Sequence, residues 1–168
     1  MKKTGVFYGS SSGTTEDVAH RIAARLGVET ADIHNVGNTQ VKAVEPYEAL
    51  ILGTSTWGLG DLQDDWDSFL PQLKKADLSG KQIALFGTGD SSSFSDTFCD
   101  GMGIIYDQLK ATGATFVGAV VTEGYSFDDS AAVADGSFVG LALDEVNESG
   151  LTDQRIAQWA EQLKAEGL

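Results

Sequence analysis

Residues 6–19 read VFYGSSSGTTEDVA. An apolar run, Val6 to Tyr8, enters a turn of five hydroxyl residues and two glycines. The chain leaves it as a helix whose apolar positions Val18, Ile22 and Leu26 recur every four residues. Two further runs, Ala49 to Thr54 and Ile83 to Thr88, are as continuously apolar and also end in glycine and hydroxyl residues, the pattern of strands buried on both faces. ETADIH, residues 29–34, is a weaker run and is expected at a sheet edge. Near the end, Ile156, Trp159 and Leu163 form another helical stripe with Thr152 as a candidate N-cap. Strand alternating with helix predicts an α/β fold: a parallel sheet covered on both sides, right-handed crossovers, and ligand sites at the carboxyl ends of the strands.

Two late apolar runs, TFVGAVV (115–121) and FVGLALD (138–144), are separated by TEGYSFDDSAAVADGS. No helix-length periodic segment lies between them, so they read as one strand interrupted by an insertion from Thr122 to Ser137. At 168 residues the chain is expected to form a single domain, 1–168, without linker or repeat.

Eleven basic residues stand against 25 acidic ones, for a net charge of −14. That balance argues against nucleic acid and anionic lipid as partners and favours basic ones. No apolar run approaches the roughly 20 residues a bilayer requires, and MKKTGVFYGS is too short in apolar residues for a signal peptide, so a cytoplasmic protein is expected. The single Cys99 excludes an internal disulfide and cysteine-rich metal or iron-sulfur sites.

Several chemistries compete for GSSSGTT, residues 9–15. A Walker A loop needs a lysine that is absent here. A dinucleotide fingerprint needs a third glycine, but the G-x-G triplets at Gly58, Gly87 and Gly101 are followed by Gln63, Ser92 and Tyr106 at that place. The match of Gly9 to Gly13 to a nucleophile elbow makes Ser11 a nucleophile only with a later acid and then a histidine. The two histidines, His20 and His34, both come early. The surviving reading is a phosphate monoester held by neutral donors: backbone N–H groups where the helix starts near Thr14, with hydroxyls from Ser10, Ser12, Thr14 and Thr15. A turn whose hydroxyls merely cap the helix is the bland alternative, to be decided by context.

That context is STWGLGDLQDDWDSF after the second long run and GDSSSFSDTFCDGMG after the third. Each places an aromatic, Trp57 or Phe94, in a glycine- or serine-rich loop. Together they suit a pair of walls for a flat ring.

With these residues in place, the chain resembles the flavodoxin family, of the long-chain type. YGSSSGTTE is similar to that family's phosphate loop, GTSTWGLGDLQDDW to its first isoalloxazine loop, and FGTGD with FCDGMG to its second; the likeness runs from Lys3 through GLALDEVNESGLTDQRI. The resemblance implies a flavodoxin-like three-layer sandwich with a five-stranded parallel sheet of order 2-1-3-4-5, the last strand interrupted by an insertion. It also implies noncovalent FMN and one-electron transfer between redox enzymes. Ser10, Ser11, Ser12, Gly13, Thr14 and Thr15 are then expected around the phosphate. Thr56, Trp57, Gly58, Leu59 and Gly60 are expected with Thr88, Gly89, Asp90, Phe94 and Phe98 around the ring, Trp57 on its inner face and Phe94 on its outer, and Asp144 near the ribityl chain. The family commonly has tyrosine where this sequence has Phe94, after an unusual Ser91-Ser92-Ser93.

From Trp57 to Asp107 lie nine aspartates against Lys74, Lys75 and Lys81. Such a field disfavours an anionic reduced ring and favours docking to a basic surface. Expected partners are basic-faced redox proteins such as a ferredoxin/flavodoxin-NADP reductase or a pyruvate oxidoreductase, met by a monomeric carrier rather than an enzyme. The alternative is an FMN-dependent quinone or nitro reductase on the same fold.

Overall fold

The computed structural model describes residues 1–168 in full. Strand β1 (Thr4–Gly9) leads through α1 (Thr14–Leu26) and β2 (Ile33–Asn35) to β3 (Ala49–Trp57). A short β4 (Asp61–Leu62) folds back on β3 before α2 (Asp64–Lys75), β5 (Gln82–Thr88) and α3 (Asp100–Leu109). The remainder holds β6 (Thr115–Val117), β7 (Val120–Val121), β8 (Val133–Ala134), β9 (Ser137–Phe138), β10 (Leu141–Leu143) and α4 (Ser149–Ala165).

The main sheet runs β2-β1-β3-β5-β10, with every neighbouring pair parallel. Strand β6 pairs with Gln82–Ala84 of β5, and β10 with Phe86–Thr88 of the same strand. These two are therefore halves of one edge strand, and the order is 2-1-3-4-5 as expected.

Successive side chains of a strand enter opposite faces, so Val6 packs in the core under α1 and α4 with Ile22 and Trp159, while Phe7 packs in the core under α2 and α3 with Trp66 and Phe69. Both faces are covered, which is why the central strands read as unbroken apolar runs.

Three boundaries differ from expectation. Thr30–Asp32 is a turn of 3-10 helix, and only Ile33–Asn35 pairs with β1. Helix α4 begins at Ser149 with Glu148 at the N-cap, so Thr152 is not a cap but a buried residue inside the helix. The reason is a preceding turn, in which Glu148 N–H donates to Asp144 O at 2.9 Å, that starts the helix early. The insertion is also longer than Thr122 to Ser137. The edge strand stops after Val117 and resumes at Leu141, because the Trp159 indole N–H takes the Gly118 carbonyl at 2.8 Å. Val120–Val121 then pairs antiparallel with Ser137–Phe138 in a separate sheet of order β7-β9-β8.

Registers β1–β3 and β3–β5 place Gly9 beside Thr54, and Ser55 beside Thr88. Three loops, 10–13, 58–60 and 89–99, consequently leave the sheet at one end, within reach of one ligand.

Candidate cofactor site

The first loop is shaped by Gly13, which enters α1 with φ 92°, a conformation that disfavours a Cβ, and no side chain caps the helix. Gly13 N–H donates to Ser10 Oγ at 3.1 Å. Asp17 N–H is the first donor to close a helical turn, on Gly13 O at 3.0 Å. The N–H groups of the preceding residues thus face the mouth of the loop, where the helix dipole favours an anion. Ser12 and Thr14 hydroxyls lie 3.4 Å apart at the exposed rim. Thr15 is buried, its hydroxyl 3.0 Å from that of Thr88. Ser11 Oγ accepts from Gln63 Nε2 at 3.1 Å.

The second loop is a turn closed by Gly60 N–H on Trp57 O at 3.2 Å, with Gly58 at φ 53°. Trp57 keeps 43% of its surface exposed while its indole N–H is anchored on Ser55 Oγ at 2.7 Å, so the ring stands as a wall rather than folding into the core. Thr56 Oγ1 accepts from Gly101 N–H at the start of α3, 3.0 Å away.

The third loop carries Phe94, which is 45% exposed. Its backbone is wound around Asp90: Oδ1 accepts the N–H groups of Ser92 (3.1 Å) and Ser93 (2.9 Å) and the Asn147 side chain (2.8 Å), and Phe94 N–H donates to Asp90 O at 3.0 Å. These donors, led by Ser93 N–H and the Asn147 amide, hold the Asp90 carboxyl below the usual range. The serines at 91–93 are thus a hydrogen-bonded turn that presents Phe94.

A cleft of about 280 Å³ joins the three loops. Ser12 and Thr14 from the first loop line it together with Thr56, Trp57, Gly58, Thr88, Gly89, Asp90 and Phe94, and Glu145 and Val146 complete it. Of the remaining expected residues, Ser10, Ser11, Gly13, Leu59 and Gly60 belong to the same loops and Thr15 to the first turn of α1, none of them lining the cleft. Two lie elsewhere. Phe98 is buried beneath the insertion, its ring 5.7 Å from Phe127 and 5.9 Å from Phe138, so it is core and not a wall. Asp144 is wholly buried, and both its oxygens are taken by protein donors: Ser91 N–H at 3.1 Å and its hydroxyl, Val146 N–H at 3.1 Å, and Asn147 N–H at 2.9 Å. Burial pushes its carboxyl upward, but the Ser91 hydroxyl and the Asn147 donors outweigh this and leave it below the usual range. Asp144 therefore locks the third loop to the 145–147 loop instead of facing a ligand.

Sequence reading missed Glu145, Val146 and Gln63. The first two directly follow Asp144 at a strand's carboxyl end, which was the available signal. Gln63 sits between a glycine-rich loop and an acidic helix start and looks like any N-cap. Cys99 is buried at the head of α3, its thiol pushed well up by burial, which suits packing rather than redox chemistry. No group of His, Cys, Asp and Glu side chains is arranged to hold a metal ion.

Neutral hydroxyls at a helix start and two half-exposed aromatics line one cleft, a set that fits a phosphate monoester carrying a flat ring. The family model described as Flavodoxin matches residues 6–159. The chain belongs to the flavodoxin family. It is 44% identical over 165 residues to a flavodoxin of Nostoc sp., covering 98% of this chain and 97% of that one. With Flavodoxin 1 of Azotobacter vinelandii it is 45% identical over 172 residues, covering 100% and 99% of the two chains. Among solved structures, the Fusobacterium nucleatum flavodoxin bound to flavin mononucleotide superposes with a TM-score of 0.91 at 36% identity over 99% of each chain. Oxidised Flavodoxin 1 of Bacillus cereus gives 0.69 at 26% identity, covering 96% of this chain and 97% of that one. The interrupted edge strand fits the long-chain branch of the flavodoxins.

Proposed function

We propose that the chain binds FMN noncovalently and serves as a low-potential one-electron carrier between redox enzymes. The observation that carries this reading is that one cleft is lined both by the phosphate-type donors of Ser12 and Thr14 and by the aromatic side chains of Trp57 and Phe94.

FMN, when bound, supplies the redox chemistry; the protein binds it and sets which charge is tolerated. The first turn of α1 and its hydroxyls hold the phosphate without a cation. Trp57, anchored through Ser55, and Phe94, presented by the Asp90 turn, enclose the ring and limit water at its faces. Exposed Asp64 and Asp67 lie on α2 just after the first ring loop, and the Asp100 carboxylate lies under Gly60, where a Cβ would sit 2.6 Å from its Oδ2. Negative charge at these positions raises the free energy of any further negative charge between the aromatics, which lowers the reduction potential.

The same surface suits a basic-faced partner, such as a ferredoxin/flavodoxin-NADP reductase or a pyruvate oxidoreductase, met by a monomer in the cytoplasm. Charge-steered, salt-sensitive contact gives the fast exchange a shuttle requires. No helix is long and apolar enough to cross a membrane.

The test is direct. The purified protein should be yellow, release FMN on denaturation, and show two separate one-electron steps in potentiometry, the second well below that of free FMN. A colourless protein that takes up no FMN would overturn the reading; so would steady oxidation of NAD(P)H with a quinone or nitro acceptor.

A further inference from the structure

Gln63 is 2% exposed and does not line the cleft. Its Oε1 accepts Asp65 N–H at 3.0 Å, and its Nε2 donates to Asp65 Oδ2 at 2.9 Å. Those two contacts fix the amide's orientation, since a donor must meet the oxygen and a carboxylate must meet the nitrogen. The second Nε2 proton is thereby directed at Ser11 Oγ, 3.1 Å away. β1 ends in glycine beside this bridge, because a Cβ on Gly9 would lie 2.2 Å from Gln63 Oε1. The approach of the amide to the first loop is thus built into the end of the strand.

A hydroxyl has one proton. With its oxygen accepting from Gln63, Ser11 cannot point that proton back at the amide. Ser11 is exposed at the mouth of the loop, so its O–H is left oriented outward as a donor, and the incoming bond polarises it. We infer that Gln63 is a positioning residue of the phosphate site: it acts through Ser11, fixing that hydroxyl as a donor to a phosphate dianion and tying the phosphate loop to the segment that carries Trp57. This rests on the reading of the cleft as an FMN site.

The experiment compares FMN with riboflavin, which has the same ring and polyol but no phosphate. Affinities of apoprotein for both ligands are measured for wild type, Gln63→Met, Ser11→Ala and the double variant. Gln63→Met should lower the FMN-to-riboflavin affinity ratio by about five- to twenty-fold. Ser11→Ala should lower it similarly, and the double variant no further than Ser11→Ala alone, because the two residues act in series. Gln63→Glu supplies a second arm should the methionine variant misfold. It keeps an acceptor for Asp65 N–H but forces Ser11 to donate to residue 63, so its effect on the ratio should be larger with Ser11 present than with alanine there. Equal losses for both ligands, or additive losses in the double variant, would overturn the role of Gln63. A wild-type protein that binds riboflavin as tightly as FMN would instead overturn the phosphate site itself.

Discussion

Thr15 Oγ1 lies 3.0 Å from Thr88 Oγ1, in a buried contact that ties the first turn of α1 to the carboxyl end of β5. One hydroxyl of the pair donates to the other, so phosphate loop and ring loop are held at a set separation. Replacing Thr15 by valine keeps the shape and removes the hydroxyl; Ser12→Ala removes one at the rim. Each is expected to weaken FMN by roughly ten-fold, about 1.4 kcal/mol, and riboflavin much less. Equilibrium titration of apoprotein with both flavins measures the difference, and equal losses would take these hydroxyls out of the phosphate site.

The Asp144 carboxylate holds together the third loop and the 145–147 loop, through Ser91 on one side and Val146 and Asn147 on the other. Asp144→Ala leaves the N–H groups of Ser91, Val146 and Asn147 without their acceptor, at an expected cost of about 2–4 kcal/mol in stability. Because the folded carboxyl sits below its ordinary value of 3.8, its contribution is complete above that pH and is lost as pH falls through the folded value. Urea unfolding at neutral pH and at a series of pH values below 3.8 should show the wild type progressively losing this contribution, while Asp144→Ala shows a smaller drop.

Gly58 stands at φ 53°, and a Cβ there would meet only Asp61 Oδ2, at 3.0 Å, the end of an exposed side chain. Space is therefore a minor constraint; conformation is the major one. The reading under test is that the peptide after this residue turns over as a bound flavin takes its first electron. A β-branched residue opposes positive φ by about 1 kcal/mol or more, so Gly58→Val should shift the first potential by roughly 40 mV or more to the negative while oxidised FMN still binds. Loss of oxidised FMN with an unchanged potential would make the glycine a spacer.

Asp64 and Asp67 are exposed on α2, whereas Asp65 is engaged with Gln63 and is a poor site for a charge test. Exchanging Asp64 and Asp67 for lysine should slow electron transfer from a basic-faced reductase at low ionic strength, and the gap should close as salt rises. Stopped-flow rates across a salt series provide the check. An effect independent of salt would indicate a local change of structure.

Much of the architecture was legible because it depends on local pattern. The continuous apolar runs of β1, β3 and β5 follow from burial on both faces, the stripe of Val18, Ile22 and Leu26 from helical periodicity, and the coincidence of three loops at one end from parallel strands. The hydroxyl-rich turn and the loop aromatics Trp57 and Phe94 could be read as a site because their chemistry is carried by residues close in the chain.

What the chain alone left undecided depends on partners far away in it. Phe94 and Phe98 lie four residues apart in the same loop, and only packing under Phe127 and Phe138 makes one core and leaves the other a wall. Asp144 reads as a carboxylate open at a strand end until Ser91, 53 residues away, takes its Oδ2 while Val146 and Asn147 take its Oδ1. Gln63 reads as a helix cap until Ser11, 52 residues away, takes its second proton. Hydrogen-bond capacity belongs to a residue type, but which partner fills it is settled by the packing of the whole sheet, and that decides whether a polar side chain meets the ligand or holds the loop that does.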